Sequence, residues 1–494
     1  MSSKYYPNLE KAKDFKDDYR CIPIAREIYS DFITPIQALK ILKNVSSHVY
    51  MLESVENQEK TGRYTFLGYE PKLCITCLNN KIKVIDAKGE VLKEDNIKHP
   101  AVFINEIVNE YKSPKLKGMP SFTGGLVGYF AYDYIKYAEP TLNLDAQDEE
   151  KFNDVDLMLF DKVIAFDNIR QKLVIIANAK TDNLEENYEK AIKAIDEIIS
   201  LLKTGKEVKD EKAHISSEFR PMFAESEFCE MVEKAKNHIY EGDIFQVVLS
   251  NRLEADFEGS LLNTYRVLRT INPSPYMFYF SGDDIEVAGA SPETLVKLED
   301  GVLHTFPLAG TRPRGKTFEE DKRLEEELLA DEKECAEHNM LVDLGRNDIG
   351  KISKFGSVEL EKYMSIERYS HVMHIGSTVR GKIREGSSPL DAIDAILPAG
   401  TLSGAPKLRA CEIINELENN KRGIYGGAIG YIDFTGNLDT CIAIRIAFKK
   451  NGKVFVRSGA GIVADSIPKN EYVECINKAK AVMTAIEKSI EMED

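Results

Sequence analysis

Short apolar runs stopped by turn residues, such as Leu157 to Phe160 and Leu173 to Ile176, fill the sequence up to about residue 200 and limit what it can fold into. Each run reads as a strand, and the short connections between runs favour antiparallel pairing. Between Leu202 and Pro221 the chain turns polar, through Lys203-Thr204-Gly205-Lys206-Glu207-Val208-Lys209-Asp210-Glu211-Lys212. That stretch predicts a first lobe over residues 1–205, a linker over 206–221 and a second lobe over 222–494. In the second lobe Phe228, Met231, Val232, Ala235 and Ile239 recur at helical spacing, so an amphipathic helix opens it. Phe318 to Gly345 predicts one or two helices, Ala428 to Phe434 and Cys441 to Phe448 a pair of buried strands, and Asn470 to Met492 a long closing helix. Strands and helices mixed without a regular βαβ repeat make the fold class α+β.

One echo links the two regions. Gly124-Gly125-Leu126-Val127-Gly128-Tyr129 is similar to Gly426-Gly427-Ala428-Ile429-Gly430-Tyr431. Two lobes built on similar sheets would produce it, and so would two unrelated strands bent at glycine.

Composition excludes some classes of function. With 81 acidic and 65 basic side chains the formal charge is −16, the wrong sign for sequence-independent nucleic-acid binding, which rests on Lys and Arg neutralising phosphates. No apolar run approaches the ~20 residues that span a bilayer, and Met1-Ser2-Ser3-Lys4 leads into polar sequence, so no membrane association and a cytoplasmic location are expected. The eight cysteines are scattered, which argues against a disulfide framework. Cys74 and Cys77 form the one close pair; a zinc site would want a second, so both are assigned to core packing.

Two Glu-x-x-Glu pairs, Glu334 with Glu337 and Glu471 with Glu474, lie in predicted helices, where residues three apart share a face. Either pair alone fits a solvated face of an acidic chain. Together, with Lys478 one turn beyond Glu474, they offer an oxygen-only ligand set for a hard cation such as Mg²⁺ shared with an anionic substrate. Neither pair is the Glu-x-x-His of a di-iron bundle. Three glycine-bearing loops, Pro307 to Gly315, Pro398 to Lys407 and Arg457 to Ile462, bring backbone N–H groups close to a hydroxyl or a cation, which suits a carboxylate and also describes plain turns. None matches a phosphate loop or a dinucleotide fingerprint. If Tyr369 to Ile375 is a strand, His371 and His374 face opposite sides.

These segments, read with Ala290-Ser291-Pro292-Glu293, Asp331-Glu332-Lys333-Glu334, Glu337-His338-Asn339 and Tyr425-Gly426-Gly427, resemble in order and spacing the chorismate-utilising enzymes, and among them the anthranilate-forming branch. The resemblance covers nearly the whole chain and implies a two-lobed antiparallel β-sandwich with helices on the outside. Water-adding members of the family carry a lysine base where this chain has Gln246, and aminodeoxychorismate synthases a lysine where it has Ala309. Lacking both, the chain is expected to use ammonia directly, to release pyruvate and to form anthranilate, the first committed step of tryptophan biosynthesis. An aminodeoxychorismate synthase and a catalytically silent tryptophan-binding protein are the alternatives.

The resemblance also implies roles. Glu293 is the acid for the departing hydroxyl, with His374 and Thr401 assisting. Gly310, Thr311, Tyr425, Arg445, Gly459, Ala460, Gly461 and Lys478 bind substrate, and Glu334, Glu337, Glu471 and Glu474 serve Mg²⁺. Met51-Leu52-Glu53-Ser54 and Asn272-Pro273-Ser274-Pro275-Tyr276-Met277-Phe278 imply feedback inhibition by L-tryptophan at Glu53, Ser54, Pro275, Tyr276 and Met277. No Gly-x-Cys-x-Gly motif surrounds any cysteine, so a separate glutamine amidotransferase subunit is implied as the ammonia source.

Overall fold

The computed structural model describes residues 4–54, 62–209, 212–368 and 372–492. His371 lies outside them, so its predicted place opposite His374 has no structural counterpart here. Among the described residues two antiparallel sheets, of 13 and 12 strands, pack face to face. Each sheet takes about half of its strands from either side of the 206–221 stretch. In the first, Val49–Glu53 pairs with Tyr276–Ser281, setting Glu53 opposite Met277. In the second, Gly125–Phe130 pairs with Ala428–Asp433, setting Gly128 opposite Gly430.

That second junction joins the two echoed segments. The strands run antiparallel through facing glycines, so the similar sequences meet about a local two-fold. Both glycines are required by close approach: a Cβ on Gly128 would lie 2.1 Å from the Asp156 carbonyl oxygen, and one on Gly430 2.0 Å from that of Asp439.

Between the sheets lies an aromatic-rich layer that includes Tyr50, Phe66, Tyr129, Phe160, Phe278, Phe448 and Phe455. Helices cover the outer faces. Leu184–Thr204, Leu262–Ile271 and the closing helix Pro468–Ile490 pack on the first sheet, and Pro100–Asn109, Glu332–Ile352 and Pro389–Ile396 on the second. The expected sandwich with helices outside is the observed one. No described helix is long and apolar enough to cross a membrane. Cys77 is buried and Cys74 half-buried, and both thiols are free.

One predicted strand is divided. Cys441 to Phe448 is two strands, Leu438–Ile442 in the second sheet and Ile446–Lys450 in the first, parted at Ala443-Ile444-Arg445. Arg445 takes a left-handed backbone, φ 54°, a conformation costly for a non-glycine residue unless its surroundings fix it. The chain changes sheets there, and the break aims Arg445 into the gap between them.

Candidate active site

A cavity of about 690 Å³ opens between the ends of the two sheets, under the helices Glu332–Ile352 and Pro468–Ile490. Its wall includes Glu293, Gly310, Thr311, Glu334, Glu337, Thr401, Tyr425, Arg445, Gly459, Gly461, Glu471, Glu474 and Lys478. These residues span nearly two hundred positions of sequence, and the fold brings them to one place.

The two Glu-x-x-Glu pairs reach it from different helices. Asp331 caps the 332–352 helix by accepting from the backbone N–H of Lys333 and Glu334 (3.1 and 3.2 Å), which fixes the first turn that carries Glu334. Gly310 permits the close approach opposite: with φ +65° it suits glycine, and a Cβ there would stand 3.2 Å from Glu334 Oε2. Pro468 sits in the first turn of the closing helix, where its missing N–H costs nothing, and Glu471 and Glu474 follow on the cavity side. Burial raises the carboxyls of Glu337 and Glu471, and neighbouring carboxylates push the same way, Glu334 and Glu474 on Glu337 and Glu474 on Glu471. Lys478 Nζ holds Glu474 at 2.6 Å and donates to the Gly459 carbonyl at 3.1 Å.

Glu293 stands at the inner end, after the strand Glu286–Ser291. Its carboxylate accepts from the Thr401 hydroxyl at 2.9 Å. Burial pushes the carboxyl up to about 7 against the opposing pull of that bond and of Lys478. It is therefore an acid partly protonated at neutral pH, placed where Thr401 holds its rotamer.

Other predicted residues stand further back. His374 is not part of the cavity wall: its Nδ1 donates to the Gly310 carbonyl at 2.9 Å and lies 3.1 Å from Thr311 Oγ1, so it braces the Gly310-Thr311 turn from behind. Burial lowers its imidazole below the ordinary value, partly offset by the Gly310 bond. Ala460 turns its methyl into the apolar core while the flanking Gly459 and Gly461 face the cavity. The cations of the other two loops are already paired, Arg312 in part with Glu334 of the cavity wall itself. Lys407 pairs with Asp348 at 2.8 Å, Arg314 with Asp321 at 2.9 Å, and Arg312 with Asp331 and Glu334 at 2.9 and 3.3 Å.

Behind Arg457, the wall residue that opens the third glycine loop, lies a buried group whose other two members, Glu418 and Arg422, have no signal in the sequence. Glu418, Arg422 and Arg457 are each about 2% exposed. Glu418 Oε2 accepts from Arg457 Nη2 at 2.7 Å and from Arg422 Nε at 2.9 Å, and Oε1 from the Ser250 backbone N–H at 2.8 Å. Burial would raise the Glu418 carboxyl, but the two guanidiniums together hold it below its ordinary value. Two cations against one anion leave an excess positive charge beneath Gly459, where Arg457 forms part of the wall. Glu418-Asn419-Asn420-Lys421-Arg422 reads locally as a solvated helix end, so no local signal marks it.

Gln246 also lies on the wall, 5% exposed, with its amide oxygen buried and without a hydrogen-bond partner among the described residues. A Cβ on Gly461 would lie 2.7 Å from its amide nitrogen.

The segments expected to bind tryptophan adjoin one another on the first sheet. Glu53, opposite Met277, accepts from the Arg269 guanidinium (3.1 Å to Nη2) and from the Tyr265 hydroxyl at 2.5 Å. The Ser54 hydroxyl is buried with no partner among the described residues. Tyr276, the residue after Pro275, donates its hydroxyl to Asp439 at 2.8 Å and lies 2.9 Å from that of Thr294, next in sequence to Glu293.

A model of the chorismate binding enzymes matches residues 48–484. Anthranilate synthase component 1 of Acetivibrio thermocellus is 47% identical over 502 aligned positions, covering 99% of this chain and 100% of its own. The protein of the same name from Aquifex aeolicus is 46% identical over 490, covering 97% of each. The crystal structure of anthranilate synthase component I from Streptococcus pneumoniae superposes with a TM-score of 0.76 at 38% identity, over 92% of this chain and 98% of that one.

Proposed function

The chain belongs to the chorismate binding enzyme family, and on that premise we propose that it is the large subunit of an anthranilate synthase, converting chorismate and ammonia to anthranilate and pyruvate in the cytoplasm. The observation that carries this reading is a single cavity holding a carboxyl acid of raised pKa, four further carboxylates and a positively charged floor. That combination suits a dianionic substrate with a poor leaving group. Neither Gln246 nor Ala309 supplies an amine, which favours ammonia itself as nucleophile.

In the first stage the Glu293 carboxyl gives its proton to the ring hydroxyl, which departs as water while the ammonia lone pair forms the C–N bond beside the ring carboxylate. In the second, the nitrogen and the ring carbon that bears it each give up a proton, the C–H electrons close the aromatic ring as the enolpyruvyl C–O bond breaks, and the enolpyruvate set free takes a proton at its methylene carbon to become pyruvate. Tyr425, Arg445, Lys478 and the backbone of Gly459, Ala460 and Gly461 would hold the enolpyruvyl carboxylate over the Arg457 floor, beside Gly310 and Thr311. Thr401 fixes the acid, and His374 would serve the elimination through the turn that it braces.

Glu337 and Glu474, with Glu334 and Glu471 beside them, fit Mg²⁺. Their donors are all oxygen and line one cavity, which suits an ion that takes one or two carboxylates and completes its shell with substrate and water. Bound there, Mg²⁺ would supply positive charge for the ring carboxylate. Glu337→Gln removes a donor without changing shape. It should weaken the apparent Mg²⁺ affinity in an activity titration at least about 10-fold, the loss typical even of an outer-shell partner. Tryptophan binding should survive, because other segments form that site.

L-Tryptophan would bind where Ser54 meets Pro275, Tyr276 and Met277 and act on catalysis through the Tyr276-to-Thr294 contact beside Glu293. Ser54→Arg fills the space at the buried hydroxyl and should shift the inhibition curve to at least about 10-fold higher tryptophan with turnover little changed. The chain contains no tryptophan, so indole fluorescence reports the ligand alone. An unchanged curve would remove Ser54 from the site.

The function itself is tested with the pure chain, chorismate, Mg²⁺ and ammonium chloride. Blue anthranilate fluorescence should grow with time. An aminodeoxychorismate synthase would consume chorismate without it.

A further inference from the structure

Spacings of four, three and four place Glu337, Leu341, Leu344 and Asp348 on one stripe of the helix Glu332–Ile352. Glu337 and Leu341, at one end of the stripe, belong to the cavity wall. The other end meets the 397–406 loop, which carries Thr401. Leu344 packs there so closely that a Cβ on Gly400 would lie 2.6 Å from its Cδ1. At the next turn Asp348 Oδ2 accepts from Lys407 Nζ at 2.8 Å, and the same ammonium donates to the Ile396 carbonyl at 2.8 Å. Ile396 ends the helix before the loop, and Lys407 begins the helix after it. One ammonium thus joins the two ends of the loop and fastens them to the helix that presents Glu337.

Stability does not account for this pair. The Lys407 and Asp348 side chains are 10% and 7% exposed, and Asp348 Oδ1 is buried with no hydrogen-bond partner among the described residues. A buried ion pair offsets its desolvation only when the remaining lone pairs are also satisfied, and well-packed apolar residues in its place are often neutral or stabilising. What the charged pair adds is direction, because charge-assisted hydrogen bonds fix a geometry that apolar contacts leave loose. The geometry it fixes is that of the loop whose Thr401 hydroxyl donates to Glu293 at 2.9 Å.

We propose that Lys407 and Asp348 are positioning residues, a clasp that sets the Thr401 loop against the glutamate-bearing helix so that Glu293 and Glu337 act from one fixed spacing. The proposal rests on the role given to Glu293 above. Neither residue is part of the cavity wall, so both act through Thr401. A displacement of ~1 Å at a reacting group can cost about 10²-fold in rate, which sets the scale of the effect.

The test replaces the clasp by an apolar pair and reads stability and rate separately. Lys407→Met combined with Asp348→Leu should unfold in urea at or above the wild-type midpoint, while kcat with ammonium falls at least about 10-fold and KM for chorismate moves less than about 3-fold. In a Thr401→Val background, which lacks the hydroxyl that the clasp aims, the same replacement should cost less than about 3-fold more. Asp348→Asn keeps the shape of the carboxylate and decides the matter if the apolar pair does not fold. The Thr401 bond and the charge of Lys478 favour the ionised form of Glu293, so a loosened Thr401 lets the carboxyl rise and the alkaline limb of kcat/KM should move to higher pH. A pair that only held the fold together would leave that limb in place. An apolar replacement within about 3-fold of wild-type kcat, an undiminished penalty in Thr401→Val, or an unmoved limb in folded Asp348→Asn would each overturn the proposal. If wild type makes no anthranilate from ammonium at all, the proposed function fails. The clasp is then read from the Glu293 carboxyl band, the infrared difference between each protein and its Glu293→Gln counterpart, whose titration should still move upward in Asp348→Asn.

Discussion

Glu293→Gln is expected to lower the turnover of chorismate with ammonium by roughly 10²- to 10⁴-fold, the usual contribution of a positioned general acid. The amide keeps the shape of the carboxyl and can still accept from Thr401, so substrate affinity should change little and the loss should fall on kcat. The proton is what disappears. Because burial pushes the Glu293 carboxyl up to about 7, the protonated form is about half populated near neutrality, and above that pH it falls tenfold per unit. Wild-type kcat/KM should therefore decline with an apparent pKa near 7 on the alkaline side, and this limb should vanish in Glu293→Gln. A variant within about threefold of wild type, or one that keeps the same limb, would place the acid elsewhere.

Glu418→Gln is expected to destabilise the fold by about 3–5 kcal/mol, although residue 418 lies under the cavity and away from the reacting atoms. Among the described residues the carboxylate is the one anion paired with both Arg422 and Arg457, and removing it leaves two guanidiniums in an interior that cannot solvate them. Arg422 also donates to the Leu402 and Val248 carbonyls, at 2.6 and 2.7 Å, so the loosened group should loosen the Thr401 loop and the strand that carries Gln246. Urea unfolding monitored by circular dichroism measures the loss, and a shift of less than about 1 kcal/mol would show that the trio is solvated in the native protein. A double variant, Glu418→Gln with Arg422→Met, should recover part of the stability, because one uncompensated cation is removed.

Sequence patterns reached the elements that carry their own periodicity. The closing helix was expected over Asn470 to Met492 and runs Pro468–Ile490, and the Phe318 to Gly345 segment is the helices Phe318–Ala330 and Glu332–Ile352. Spacing of three sets each glutamate pair on one helix face, and tertiary packing brings the two faces to one cavity. The polar stretch at 206–221 is visible as composition, but the sharing of both sheets across it is not, because strand partners such as Glu53 with Met277 are set by long-range pairing. The change of sheet at Arg445 was hidden for a related reason: Cys441 to Phe448 is apolar enough to read as one strand, and only the left-handed backbone breaks it. Glu418 and Arg422 carry no such pattern because their chemistry depends on burial, which tertiary packing confers, and Gln246 is legible only as the absence of a lysine, not as a buried unpaired amide. His374 showed the reverse, a residue legible as a motif whose ring the fold sets behind the cavity wall.

The most direct test of the whole reading is stoichiometric. Chorismate consumed, anthranilate formed and pyruvate released are counted in one ammonium-driven reaction, pyruvate by coupling to lactate dehydrogenase. One anthranilate and one pyruvate per chorismate is the expected result; chorismate consumed with an aminated product and no pyruvate would contradict it.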